Sequence, residues 1–216
     1  MLTTLAVGDN KLQLPGPSGQ IETLINRPSQ LKNAKFAAII CHPHPLHGGA
    51  MTNKVVHTVA KTIEEKGGIS IRFNFRGVGR SDGTFAKGEG EIDDLYAVFQ
   101  WLKTQLPNIN IILAGFSFGA YVSAMAHNLM KPKLLISLAP PVKRFDFDNF
   151  ERPSGYWQVI AAEKDELVEL LEIEKWLQRT GKPDDYQVIQ DSSHFFHGKL
   201  NILKDKIDDA ISKAIS

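Results

Sequence analysis

The sequence predicts an α/β protein with helices on both faces of a mostly parallel sheet, a three-layer α/β/α sandwich. From Lys35 onward, short apolar runs rich in β-formers alternate with longer segments of helical period. The short runs are apolar at successive positions instead of every second one, as strands buried on both faces require. The longer segments are apolar along one stripe only, as helices lying on a sheet must be.

Six strands follow, at residues 36–41, 69–75, 109–114, 134–139, 156–162 and 186–189. Ile92, Leu95, Phe99, Leu102 and Leu106 step by three and four, as do Leu200, Leu203, Ile207, Ala210 and Ala214, and each set marks one helix. Leu167, Leu170, Ile173 and Leu177 mark another, and the small-residue run from Ala120 to Ala126 a fourth. Before Lys35, Pro15-Gly-Pro-Ser-Gly19 separates two short alternating runs around Leu12 and Ile21, which reads as an antiparallel entry hairpin. Residues 140–155 form the longest stretch without a period, a candidate functional loop that is too short for a lid domain.

The 216 residues fit one domain, 1–216, with 43% hydrophobic and 23% charged residues, ordinary for a globular chain. Twenty-five Lys and Arg against 24 Asp and Glu, with no basic run, argue against a nucleic-acid partner. No stretch has the length and apolarity to span a bilayer, and the start of the chain does not resemble a signal peptide. A protein in the cytoplasm, with no membrane partner, is therefore expected. The single cysteine, Cys41, allows no disulfide within the chain and no multi-cysteine metal site. The glycines at 48–49, 77–79 and 88–90 fit no phosphate-binding pattern, so no nucleotide cofactor is expected. The helix faces carry no interface pattern that fixes an oligomeric state.

Gly115-Phe-Ser-Phe-Gly119 matches G-x-S-x-G, and it lies where a predicted strand meets a predicted helix. A serine there occupies a tight, strained turn that exposes its hydroxyl, and side chains two positions to either side would collide with neighbouring elements. Ser117 is thus the candidate nucleophile; its bland alternative is a helix N-cap.

Asn74-Phe-Arg-Gly-Val-Gly-Arg-Ser-Asp-Gly83 after the second parallel strand and His42-Pro-His-Pro-Leu-His-Gly-Gly49 after the first extend the pattern. Together with the serine turn, they resemble the small, cap-less α/β-hydrolases described as esterase-like or dienelactone-hydrolase-like. The resemblance covers nearly the whole chain. It implies a sheet of about eight strands and a catalytic triad in the chain order Ser, acid, His.

On that analogy, the base is a histidine on the loop after the last strand, which selects His194 over His197. The acid is Asp165, in Glu163-Lys-Asp165 at the end of the 156–162 strand, preferred to Glu163; Asp146 and Asp191 are its rivals, and Asp165 could instead simply cap the helix that follows. Glu166 reads as helix surface. The backbone N–H of Phe118 is one oxyanion donor, and the second comes from the 42–49 loop, where Pro43 and Pro45 have no N–H; this leaves His44, with Leu46 as fallback. Arg76 and Arg80 read as braces of their own loop.

The activity implied is hydrolysis of a small acyl ester through an acyl-enzyme, without metal or cofactor. Thioester, amide and acyl-transfer chemistry use the same triad, and a binding module that has lost turnover is the rival from another class. H-x-H-x-x-H at His42, His44 and His47 suggests a metal hydrolase as a third option, against loop-bracing roles for those rings. Phe145, Phe147 and Phe150 either line an acyl pocket or pin the 140–155 loop, and Phe195 and Phe196 border the cleft.

Overall fold

In a computed structural model describing residues 4–215, one eight-stranded sheet runs through the molecule. The ends of the expected domain, residues 1–3 and 216, lie outside the described residues. The strands are β1 (Gly8–Gly16), β2 (Gly19–Arg27), β3 (Phe36–Cys41), β4 (Ile69–Phe73), β5 (Asn110–Phe116), β6 (Leu134–Leu138), β7 (Tyr156–Ala162) and β8 (Asp185–Ile189). Their spatial order is β1-β2-β4-β3-β5-β6-β7-β8, with β3 to β8 parallel and the β1–β2 hairpin joined antiparallel to β4. This is the expected α/β/α sandwich. The hairpin is tighter than the turn cluster suggested: Pro15 and Gly16 belong to β1, and only Pro17 and Ser18 turn the chain. Proline is tolerated there because β1 is an edge strand, with one side free of ladder bonds.

Among the described residues, five α-helices cover the sheet: α1 (Lys54–Glu65), α2 (Glu89–Gln105), α3 (Phe118–Met130), α4 (Leu170–Thr180) and α5 (Leu200–Ala214). Alternate residues of a buried strand serve different layers. Ile39 packs in the layer with Leu95 of α2, Val122 of α3 and Trp176 of α4, whereas Ala38 and Ile40 pack with Val59 of α1 and Leu203 of α5. Two apolar layers on one strand explain the unbroken apolar runs. The sequence reading contains no helix at α1, although Val55, Val56, Val59, Ala60 and Ile63 form its buried stripe.

The order β4-β3-β5 reverses the winding between β3 and β5, and ligands of open α/β sheets bind at the carboxyl ends of strands beside such a switch. The loop after β3 and the turn after β5 meet there. The 140–155 loop, between β6 and β7, divides the two roles weighed for its aromatics. Phe147 and Phe150 are buried against Trp176, and Phe150 also touches Trp157 at 5.0 Å between ring centroids, so these two pin the loop. Phe145 is half-buried and lines the cleft. Phe150→Ala is therefore expected to destabilise the fold by about 3 kcal/mol in urea unfolding, as aromatic truncations in cores do; an unchanged midpoint would show that the loop is held by other contacts.

Candidate active site

Ser117 stands between β5 and α3 with φ 53° and ψ −118°. A non-glycine residue in such a conformation costs on the order of 1–3 kcal/mol and persists only where its surroundings enforce it. Here they do. The Ser117 N–H donates to Leu138 O of β6 at 2.9 Å, and its carbonyl accepts from Ala120 N–H at 2.8 Å. A Cβ on Gly115 would lie 2.1 Å from Gly119 O, and one on Gly119 would lie 2.3 Å from Cys41 O, so both flanking positions admit only glycine. Although Ser117 occupies the N-cap position of α3, its hydroxyl makes no capping bond. It faces His194 Nε2 at 3.0 Å instead.

His194, in the turn after β8, places Nδ1 2.8 Å from Asp165 Oδ2, and the two side chains are only 2% and 1% exposed. The carboxylate serves two purposes. Oδ1 accepts from the N–H groups of Leu167 and Val168, both at 2.8 Å, which holds the turn ahead of α4, while Oδ2 faces the imidazole. A carboxylate can only accept, so Nδ1 carries the ring proton and Nε2 is left to accept from the serine hydroxyl.

The Asp165 and His194 loops are stitched together by backbone and side-chain bonds. Lys164 N–H donates to Ser192 O at 2.8 Å, Asp191 N–H to Glu163 Oε2 at 2.9 Å and His194 N–H to Glu166 Oε2 at 3.1 Å. Glu166 is exposed, as expected of a surface residue, but it does not belong to the helix. The turn held by Asp165 delays α4 until Leu170, which leaves Glu166 on the loop and within reach of His194.

The rival residues lie elsewhere. Asp146 is exposed and accepts from Asp148 N–H at 2.8 Å. Asp191 is exposed and pairs with Lys164 Nζ. His197 is exposed against Phe195 and precedes α5 instead of starting it.

In the 42–49 loop, His42 is buried and uses both ring nitrogens: Nδ1 donates to Pro43 O at 2.7 Å, and Nε2 accepts from Phe75 N–H at 3.0 Å. The first of these bonds pins the Pro43–His44 peptide plane, because the carbonyl and the His44 N–H are opposite ends of one rigid unit. Neither nitrogen of His42 is left to bind a metal. Among the described residues, no backbone carbonyl accepts from the N–H of His44 or of Phe118, whereas the Leu46 N–H is taken by His44 Nδ1 at 3.2 Å. Arg76 braces its loop through a two-pronged pair with Asp94 of α2, and Arg80 contributes only its backbone N–H, donated to Glu22 Oε2 at 2.8 Å. Cys41 is buried and its thiol is pushed far up by desolvation, which makes it an inert core residue.

A cleft of about 480 Å³ opens over Ser117 and His194. His44, Phe118, Arg144, Phe145, Leu167 and Phe195 are among the side chains that line it, while Phe196 is buried beneath.

A family model for X-Pro dipeptidyl-peptidases of the S15 family matches residues 19–211. The chain belongs to that family. Among solved structures, this S15-family chain is similar to an α/β serine hydrolase without lid from Xanthomonas campestris, at 39% identity over 97% of this chain and 96% of that one, with a TM-score of 0.89. An α/β serine hydrolase homologue from Coxiella burnetii is similar at 39% identity over 95% of this chain and 99% of that one, also with a TM-score of 0.89. An uncharacterised protein from Rickettsia prowazekii is 34% identical over 209 residues, 90% of this chain and 85% of its own. The S15-family chain is accordingly a lid-less α/β-hydrolase, and no domain is inserted above its cleft.

Sequence reasoning passed over Arg144, placed Glu166 on a helix without its bond to His194, and read His42 as a loop brace without the peptide it orients. Burial pushes His42 down to about 4 from an ordinary value of 6.5. The unfolded chain therefore binds the extra proton first as the pH falls. The stability that His42 contributes is complete above about pH 6.5 and is lost toward pH 4, up to about 3 kcal/mol. Thermal melts of the wild type should fall across this window more steeply than those of His42→Gln, and parallel slopes would contradict the assignment.

Proposed function

We propose that the chain is a serine hydrolase that cleaves small acyl esters, with Ser117 as nucleophile, His194 as general base and Asp165 as the acid that orients it. The observation that carries this reading is the continuous line of hydrogen bonds from Ser117 Oγ through His194 to Asp165, ending on an open cleft. In the reaction, His194 Nε2 takes the hydroxyl proton as Oγ bonds to the ester carbonyl carbon. The carbonyl oxygen becomes an oxyanion, received by the Phe118 and His44 N–H groups. As the tetrahedral intermediate collapses, His194 returns the proton to the departing alkoxide. Water, deprotonated by the same ring, then attacks the acyl-enzyme and restores Ser117. Asp165 keeps the imidazole in the required tautomer and stabilises its charged form. The position of Phe118 at the first turn of α3 adds the favourable end of a helix dipole.

The activity in the family's name is less well suited to this cleft. A dipeptidyl-peptidase must hold the free ammonium of its substrate near the scissile bond, a task for carboxylates. Among the described residues, no Asp or Glu lines the cleft, which instead carries His44, His47 and Arg144. Thioesters fit the same machinery. A cytoplasmic setting suits a chain whose one cysteine is buried and unpaired.

With p-nitrophenyl acetate, Ser117→Ala and His194→Ala should lower kcat/KM by about 10³-fold or more, and Asp165→Asn by a comparable factor, with folding verified by circular dichroism. Turnover that survives Ser117→Ala at the wild-type rate would exclude the mechanism.

A further inference from the structure

The cleft has an electrical polarity that ester hydrolysis alone does not require. Its charged and titratable lining consists of His44, His47, Arg144 and the catalytic His194, and, among the described residues, it includes no acidic side chain. Asp165 is buried behind His194. Arg144 is the permanent charge in this set, and among the described residues its guanidinium forms no ion pair. Its neighbour Lys143, by contrast, is paired with Glu169.

The backbone at Arg144 is set by its surroundings, while its side chain is exposed on the cleft lining. The N–H groups of Arg144 and Phe145 both donate to Pro141 O, at 3.0 and 3.2 Å, which makes a tight turn after the two prolines. Phe145 then stacks on Tyr121 at 4.9 Å and leans on Phe118 at 5.2 Å. The backbone that carries Arg144 is thereby fixed to the residue that follows the nucleophile. The charge is felt locally: burial first, then the neighbouring His47 and Arg144, hold the His44 ring below its ordinary proton affinity.

The chemistry of the triad divides the cleft in two. His194 must hand its proton to the leaving group, so a leaving group beside it would meet Phe195, whose ring touches His194, and the apolar Leu167 and Val168 of the same cleft. The acyl portion would then meet the ring cluster of His44, Phe118 and Phe145, with Arg144 on the lining of the same cleft.

Resting on the serine-hydrolase reading, we propose that the acyl half of the substrate carries a carboxylate that Arg144 receives, so that the enzyme acts on half-esters of dicarboxylic acids in preference to simple alkanoate esters. An arginine fork matches a carboxylate through two parallel hydrogen bonds, and the phenylalanines beside it accommodate the methylene chain. A free N-terminal ammonium would be repelled from the same place.

The test compares mono-p-nitrophenyl adipate with p-nitrophenyl hexanoate, which have equal acyl carbon counts and differ in the terminal carboxylate, each corrected for spontaneous hydrolysis. Wild type should favour the adipate ester in kcat/KM by about tenfold. Arg144→Ala should abolish that preference, Arg144→Lys should retain part of it, and Arg144→Glu should reverse it. Equal or better turnover of hexanoate by wild type, or equal losses on both esters in Arg144→Ala, would overturn the proposal while leaving the triad reading intact. Calorimetric binding of adipate to Ser117→Ala, which needs no turnover, separates the two ideas further. Binding that Arg144→Ala weakens upholds the anion site even if neither ester is cleaved, whereas binding that is indifferent to Arg144 overturns it.

Discussion

Ser117 can hold a left-handed backbone only because neighbouring carbonyls close on two positions that carry no side chain. Gly115 lies under the first turn of α3, and Gly119 lies against the end of β3, so the first turn of α3 approaches the carboxyl ends of β5 and β3 as closely as backbone allows. The Ser117 N–H is tied in turn to β6. Three adjacent parallel strands thus meet around one strained residue, and the stability of the sheet is what sustains the strain. The hydroxyl that results points into the cleft and not back onto the helix.

Around this turn, the loops are held by polar groups that carry out no chemistry. His42 joins the ends of β3 and β4 and fixes the Pro43–His44 peptide. Glu163 and Glu166 anchor the His194 loop from the Asp165 loop, which ties together the turns that follow β7 and β8. A cleft with no inserted lid depends on this kind of bracing.

Much of this was legible in the sequence. The strands at 36–41 and 156–162 match β3 and β7 at both ends, because continuous apolar runs bounded by polar turns leave little choice of limits. G-x-S-x-G at a strand-to-helix junction located Ser117, and the order of elements located candidates for its partners. Other features were less accessible. α4 begins at Leu170 because Asp165 spends an oxygen on the residues before it, so the apolar period that includes Leu167 overstated the helix. α1 was passed over because its stripe is mixed with Lys, His and Thr. The clamp from Glu166 to His194 joins residues 28 positions apart, and no local pattern records such a bond. Arg144 gave no signal either, since its meaning comes from what lines the opposite wall.

The central claim is that Ser117 is a nucleophile activated by His194. The most direct measurement is the site and rate of labelling by a fluorophosphonate, read by mass spectrometry on folded protein. The account predicts a single adduct on Ser117, formed at least about 10²-fold more slowly in His194→Ala, where the base is missing. Labelling at another residue, no adduct on the intact folded chain, or an equal rate in His194→Ala would contradict it.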